Sequence, residues 1–544
     1  MHVFSIECGR TPSRAIQFAI FFALLATLAV SQALAAAPEP QKPEAQKPEA
    51  QKAKDPNNKI YREGLKAMRE GRYEDAIKSY REILGRDDRD IQARLLTSHA
   101  YLKNQNYRLC FDEATQALAL DAGNARAHAL LASSLLRSGY INKATEELRL
   151  AFKSDTKEPL AFWAAAEIDY YDGRSLDARS RAYQAHLLDP LEPDYVLTFA
   201  HASSRLEMFK DAAEALKLFL ELAPKNDIDR RDSIKGLIQF YHRLAGLKVH
   251  ELSGPKVSNV AFQLRSDRRP YLRLKINGRE ATFVIDTGSG FTVLSEEAAK
   301  RLGVSEVSRG GKSQAFGGDG KFKIVYGLVK SLELGDVKVK SVPCYIRHFH
   351  VADGTEKGEQ ADGYIGLSVL SHFLMELDYK EHVLRLDRND SATLTASPTA
   401  TVVPFRRTHN GLISIETEFE GDRRINAILD SGASSSVISA AAVERLNMSE
   451  QIIKGETTRV FGAAGIADNV ALLFIRQCKV ANLQRENIRA LVLDFGAINE
   501  TSGFEQSGIL GGDFMKNFRI TIDFNRSLVA FTPHAESAPR LNYR

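Results

Sequence analysis

Two segments of this 544-residue chain place an aspartate in the same setting: FVIDTGSGFTVLS around Asp286 and AILDSGASSSVIS around Asp430, 144 positions apart. Each aspartate follows three apolar residues and precedes Thr287-Gly288 or Ser431-Gly432. Gly288 and Gly432, lacking side chains, permit a tight loop and the close approach of a facing backbone. Alone, Asp-Ser/Thr-Gly turns up by chance in roughly one chain in four of this size, so the pairing carries the signal. The duplication continues downstream: Phe316-Gly317-Gly318 matches Phe461-Gly462-Ala463, Tyr364-Ile365-Gly366 matches Ile509-Leu510-Gly511, and Phe373 to Asp378 matches Phe518 to Asp523, all at an offset of 145. Two carboxyls brought about 3 Å apart cannot both ionise cheaply, so they share a proton. One can then take a proton from water while the other gives one to a carbonyl oxygen. Such a pair performs hydrolysis with neither a covalent intermediate nor a metal, and it titrates as a unit.

With these blocks in one order, the segment from about Pro255 to Pro533 resembles the pepsin and retropepsin superfamily of aspartic peptidases. The resemblance implies an all-β fold of two lobes related by a pseudo-twofold axis, with Asp286 and Asp430 as the catalytic pair. In that family the later apolar-apolar-Gly segment crosses beneath each aspartate loop and braces it, which assigns that part to Gly366 and Gly511. The Thr287 and Ser431 hydroxyls are expected to hydrogen-bond across the lobe interface. Ser289 is expected to hydrogen-bond the outer oxygen of Asp286, a part Ala433 cannot play for Asp430. Phe316, Gly317 and Gly318, like Phe461, Gly462 and Ala463, fall where the family has its flap, the hairpin that closes over substrate. Neither segment holds the flap tyrosine of pepsins, and this, the short lobes and the sequence Asp430-Ser431-Gly432-Ala433 are closer to retropepsins. Both lobes lie on one chain, as in pepsins. The connector Asn389 to Val403, at about 3.3 Å per residue, permits pairing within the chain, while pairing of like lobes between chains stays open. The implied activity is that of an aspartic endopeptidase needing no cofactor; the alternative is a peptide-binding scaffold that keeps the cleft without cutting.

Other constellations carry less. His348-Phe349-His350 sets two imidazoles on one side of a strand but has no further ligand in register, so no metal site is expected. Gly317-Gly318-Asp319-Gly320 lacks the spacing and the following Lys-Ser/Thr of a phosphate loop. Beyond Cys8, the cysteines Cys110, Cys344 and Cys478 form no disulfide framework. Cys110 falls at a packing position, and a Cys344–Cys478 bond is left open.

The elements that must position the pair read as follows. Beyond Gly254, short alternating segments such as Tyr271 to Ile276, closed by Asn277-Gly278, read as strands and hairpins. They form lobes over 255–388 and 404–533, joined by the polar connector 389–403 and followed by a tail over 534–544. Within a helical domain over 58–250, the chain repeats every 34 residues from Asn58 to about Lys225. Ala76, Cys110, Ala144, Ala178 and Ala212 share one small-residue position, and Gly64, Ser98, Ala132, Ala166 and Ala200 share another. Tyr61, Leu95, Ala129, Trp163 and Leu197 form a third, larger series. The pattern resembles the tetratricopeptide (TPR) repeat, an α-helical solenoid. Tyr73, Tyr107 and Phe209 stand just after the helix turn, Ile141 and Ser175 replace that aromatic in units three and four, and Pro190 and Pro224 close units four and five. Five hairpins follow, with Asp227 to Leu247 as a capping helix. The concave surface of such an array is expected to recruit a protein partner or substrate. Residues 36–57 read as a polar tether, and residues 1–35, with Arg10 and Arg14 before the apolar run Ala15 to Val30, as a secretory signal. Export to the periplasm or beyond is therefore expected, with membrane contact only through an uncleaved signal. A net charge of +4 without a basic stripe argues against a nucleic-acid partner.

Overall fold

The computed structural model describes residues 57–226, 228–316, 321–350, 360–389, 392–421 and 423–534. The expected signal, the tether before Asn57, the tail beyond His534, and Gly317 and Gly318 lie outside the described residues.

Eleven helices come first among the described residues, in the 34-residue register of the sequence. The first helices of the five hairpins are α1 (Asn57–Arg69), α3 (Ile91–Lys103), α5 (Ala125–Arg137), α7 (Pro159–Tyr171) and α9 (Pro193–Arg205). Their partners are α2 (Tyr73–Arg86), α4 (Tyr107–Leu120), α6 (Ile141–Ser154), α8 (Ser175–Leu188) and α10 (Phe209–Leu222), and α11 (Ile228–Leu244) closes the run. Caps fix the starts: Asp90 and Asn124 accept from the backbone N–H of Ala93 and Ala127. Pro159 and Pro193 occupy the first helical turn, where a missing N–H costs nothing. Ala76, Cys110, Ala144, Ala178 and Ala212 are all fully buried, so the helices of each hairpin pack closely. At Gly64 any side chain would collide with the Tyr80 ring. The array curls until its ends meet, with Asn226 Nδ2 donating to Gly71 O at 3.3 Å. Lys103 of the second hairpin reaches Glu192 and Asp194 at the fifth. The hollow expected to receive a partner is thus crossed by the ion pairs of Lys103.

Twenty-two strands follow among the described residues. The first set is β1 (Glu251–Ser253), β2 (Val257–Leu264), β3 (Pro270–Ile276), β4 (Arg279–Ile285), β5 (Thr292–Ser295), β6 (Ser305–Gln314), β7 (Lys321–Leu334), β8 (Val337–Arg347), β9 (Gly363–Ile365), β10 (Leu374–Asp378) and β11 (Val383–Asp387). The second is β12 (Thr401–Pro404), β13 (Arg406–Arg407), β14 (Ile413–Phe419), β15 (Arg423–Leu429), β16 (Val437–Ser439), β17 (Ile452–Phe461), β18 (Ile466–Val480), β19 (Leu483–Leu493), β20 (Gly508–Leu510), β21 (Phe518–Asp523) and β22 (Leu528–Pro533). Lobe 1 has the order β3-β4-β9-β5-β8-β7-β6, and lobe 2 repeats it as β14-β15-β20-β16-β19-β18-β17. Apart from β1, which pairs with β8, and β13, which pairs with β14, the remaining strands make a shared sheet, β12-β22-β21-β10-β11-β2. At its centre Glu376 pairs with Thr521, which are the same position under the 145-residue offset, so the pseudo-twofold axis passes through this pair. Two boundaries differ from the sequence reading. Pairing of β1 with β8 brings the chain into lobe 1 from Glu251. The end of the expected connector is β12, pairing with β22, because Thr401 and Val403 alternate inward as β2 does in lobe 1.

Array and lobes share interior. Gly236 of α11 lies against Gly310 of β6, where any Cβ would strike backbone; Ser308 Oγ donates to Gly236 O at 3.0 Å, and Phe240 stacks on Tyr326 with ring centroids 4.6 Å apart. On lobe 2, buried Glu167 meets His409 Nε2 at 3.0 Å and Arg137 at 3.3 Å, while Tyr171 packs on Phe504. Among the described residues no helix is long and apolar enough to cross a membrane.

Candidate active site

Each aspartate sits where a strand ends against its parallel neighbour. Strand β4 runs beside β9 and the Asp286 N–H donates to Ile365 O at 3.0 Å; β15 runs beside β20 and the Asp430 N–H donates to Leu510 O at 3.0 Å. Gly366 and Gly511 come next, and a side chain at either would collide with the backbone of its own aspartate loop, at Ser289 and Phe291 or at Ala433 and Ser435. The loops face each other. Thr287 Oγ1 donates to Leu429 O at 2.7 Å and accepts from the Ser431 N–H at 3.0 Å; Ser431 Oγ donates to Ile285 O at 2.7 Å and accepts from the Thr287 N–H at 3.0 Å. Both hydroxyls are fully buried, and the four bonds lock the two lobes of one chain together. A Cβ on Gly288 would overlap the Asp430 carboxyl, and one on Gly432 the Asp286 carboxyl. These glycines let the carboxyls come within hydrogen-bonding distance of each other.

The pair is not symmetric. Asp430 Oδ1 accepts from the N–H of Gly432 at 2.8 Å and of Ala433 at 3.0 Å, whereas Asp286 Oδ1 accepts from Gly288 alone at 2.9 Å. Ser289 departs from expectation: its hydroxyl donates to Phe291 O, a carbonyl of its own loop, at 2.7 Å. Ala433 supplies through its backbone the extra bond its side chain cannot make. Burial, the neighbouring Asp430 charge and the bond between the carboxyls push Asp286 well above the ordinary aspartate range. Burial also raises Asp430, offset by the hydrogen bonds from Asp286, Gly432 and Ala433. The extra backbone N–H bond on Asp430 favours the negative charge there and so biases the shared proton toward Asp286.

The pair lies in a cleft of about 1620 Å³ between the lobes, above the usual size for a small-molecule pocket. Phe316, Phe461, Gly462 and Ala463 line it. The Ala464 N–H donates to Phe316 O at 2.9 Å, joining the hairpins β6–β7 and β17–β18 over the cleft. Several residues here were not singled out by the sequence. Arg347 reaches Ala463 O from lobe 1 at 3.4 Å and favours the ionised form of Asp286; Arg269 does the same for Asp430. Asp513 accepts from the N–H and hydroxyl of Ser436, bracing the second loop where Ser368 braces the first. Its position beside Leu510-Gly511 was the only signal. His348 and His350 meet edge to face beyond the end of β8 rather than on a strand. Cys110, Cys344 and Cys478 are buried free thiols. Among the described residues, Glu207, His250 and His372 bring ligand atoms within 4.8 Å of one another at the seam of array and lobe 1. This donor set could hold a divalent transition metal, and the three lie too far apart in the chain to be read as a motif.

The aspartyl protease family model matches the chain twice, over residues 272–369 and 415–514, once in each lobe. Each lobe is therefore similar to an aspartyl protease lobe. The two lobes that the model matches follow a TPR-like run of helices. Among solved structures, the chain is similar to TTC0263, a thermophilic TPR protein of Thermus thermophilus, at 19% identity over 35% of this chain and 100% of that one, with a TM-score of 0.29. It is also similar to the MamA protein, at 17% identity over 30% of this chain and 90% of that one, with a TM-score of 0.21. No curated protein matches the chain.

Proposed function

We propose that the protein is an aspartic peptidase whose water is activated by Asp430 and whose scissile carbonyl is protonated by Asp286. The observation that carries this reading is the half-buried pair of facing carboxyls at the floor of the cleft, each held against the glycine of the other's loop, with its proton biased to Asp286 by the extra N–H bond on Asp430. Ionised Asp430 takes a proton from water as the water oxygen bonds to the carbonyl carbon, and Asp286 gives its proton to the carbonyl oxygen. As the tetrahedral carbon collapses, the C–N bond breaks, the amine leaves with the proton held by Asp430, and Asp286 recovers one from the hydroxyl. The hairpins joined at Phe316 and Ala464 cover this chemistry and exclude bulk water.

We further propose export through residues 1–35. Given the ion pairs inside the curl of helices, the array works mainly by shaping the cleft, and recruitment of a partner falls to its outer face, where Leu176, Leu187 and Leu191 are exposed. The test is cleavage of unstructured peptides by the purified protein beside Asp286→Asn and Asp430→Asn. Both substitutions should lower kcat by at least about a thousandfold, the order lost when an acid or base of a hydrolase is removed. Equal turnover in all three would refute the reading, and tight peptide binding without turnover in the wild type would favour the scaffold alternative.

A further inference from the structure

One end of the cleft is closed. There the lobe-2 loop Arg407 to Gly411 meets lobe 1 so tightly that a Cβ on Gly290 would strike Asn410 O. The helical array stands behind this loop: Tyr170 hydroxyl donates to His409 O at 3.3 Å, Arg205 Nη2 donates to Thr408 O at 3.1 Å, and the His201 and His409 rings lie 4.9 Å apart. Tyr170, His201, Arg205, Phe209 and Tyr241 of the array line the same cleft as the aspartates. The opposite end is lined by Arg265 to Asp267, Arg269 and Ala433 to Ser435, from the lobes themselves.

The closed end carries two guanidiniums that touch no carboxylate of the described residues. Arg205 and Arg407 both line it, and among the described residues neither has a carboxylate in ion-pair contact. Arg205 Nη1 donates to Tyr170 O at 2.6 Å, and its guanidinium lies 3.4 Å from the Tyr170 ring centroid. Arg407 Nη2 donates to Phe524 O at 2.8 Å, and its guanidinium lies 5.3 Å from the Phe524 ring. Its Nε is buried without an acceptor. These partners are carbonyls and rings, all neutral. The nearby carboxylates are committed: Glu167 to Arg137 and His409, Glu207 to His250. A buried guanidinium without a counter-ion is costly, and burial together with its Arg205 neighbour pulls Arg407 down to about 10.

We propose that this end receives a peptide carboxylate, and that the carboxylate is the substrate's own C-terminus. Helix residues of the array stand across this end of the cleft, a place suited to a chain terminus, and two guanidiniums without a carboxylate in contact repel an ammonium and attract a carboxylate. This fixes the direction of the bound peptide and directs cleavage to the last few residues of a chain. The inference rests on the peptidase reading for its turnover, but not for its binding.

The experiment compares one peptide sequence in three forms: free C-terminal acid, C-terminal amide, and amide with Asp as the last residue. Binding is measured by fluorescence anisotropy on full-length Asp430→Asn, and cleavage on the wild type. The acid should be preferred to the plain amide by about tenfold to a hundredfold, the range for charge-assisted hydrogen bonds. Arg407→Met should abolish that preference and Arg407→Lys should keep part of it, each checked for an unchanged melting temperature. Acid-selective binding without cleavage would uphold this site while overturning the peptidase reading. Equal affinity for acid and amide would overturn the site, as would a preference surviving in Arg407→Met. Full rescue by the Asp-ended amide would overturn the assignment to the terminus in favour of a side-chain carboxylate.

Discussion

At the scale of single residues the two aspartates differ by one backbone hydrogen bond, and that biases where the pair carries its charge. The pair titrates as a unit, with two N–H donors on one oxygen of Asp430 favouring the negative charge on that side. Turnover needs the singly protonated pair. Because both groups are raised, the acid limb of kcat/KM should lie above the ordinary aspartate value of about 3.9, with the alkaline limb well above that. A pH profile peaking below about 3.5 would contradict this. The same shifts act on stability. The folded pair binds protons more tightly than the unfolded chain, so its ionisation costs stability as pH rises past the ordinary value. Asp286, Thr287, Gly288 and their copies were legible because the chemistry admits few residue types at those places. The orientation of Ser289 was not, because it depends on a choice between two acceptors a few ångströms apart.

Among the elements, α11 is the one whose part the periodicity could not foretell. Ile234, Leu237, Ile238, Tyr241 and Leu244 identify a helix, yet its contact with β6 runs through Gly236, a position that no apolar pattern marks. Gly236→Val should push the helix off the lobe-1 hairpin, costing about 1–3 kcal/mol as overpacked substitutions do and raising KM because that hairpin carries Phe316. Thermal melting and peptide kinetics would show both effects; an unchanged melting temperature and KM would mean that the hairpin does not depend on the helix. The lobes themselves were legible as strands because each alternates inward and outward residues. The β12 strand was hidden because Thr401 to Pro404 is short and stands at the end of a polar stretch.

Across the whole molecule, helices and lobes meet through buried charge. Burial opposes the ionised form of Glu167, but His409, Arg137 and Tyr171 outweigh it and hold the carboxyl below its ordinary value. Its contribution to stability is therefore full above about pH 4.5 and fades as pH falls through the lower folded value. Glu167→Gln should cost about 3–5 kcal/mol at neutral pH, and the gap in melting temperature from wild type should narrow in acid. A constant gap from pH 3 to 7 would show that charge is not what joins the parts. This union was illegible because Arg137 and Glu167 read as ordinary polar residues on helices. The central strand pairing also bears on what a fragment would do. Severed at the connector, either lobe would bare β10 or β21 as an open edge seeking a mate. Two copies of lobe 1 meeting there would set Glu376 against Glu376, carboxylate against carboxylate, whereas two copies of lobe 2 would oppose only Thr521 to itself. The second half of the duplication is the one suited to life as a homodimer.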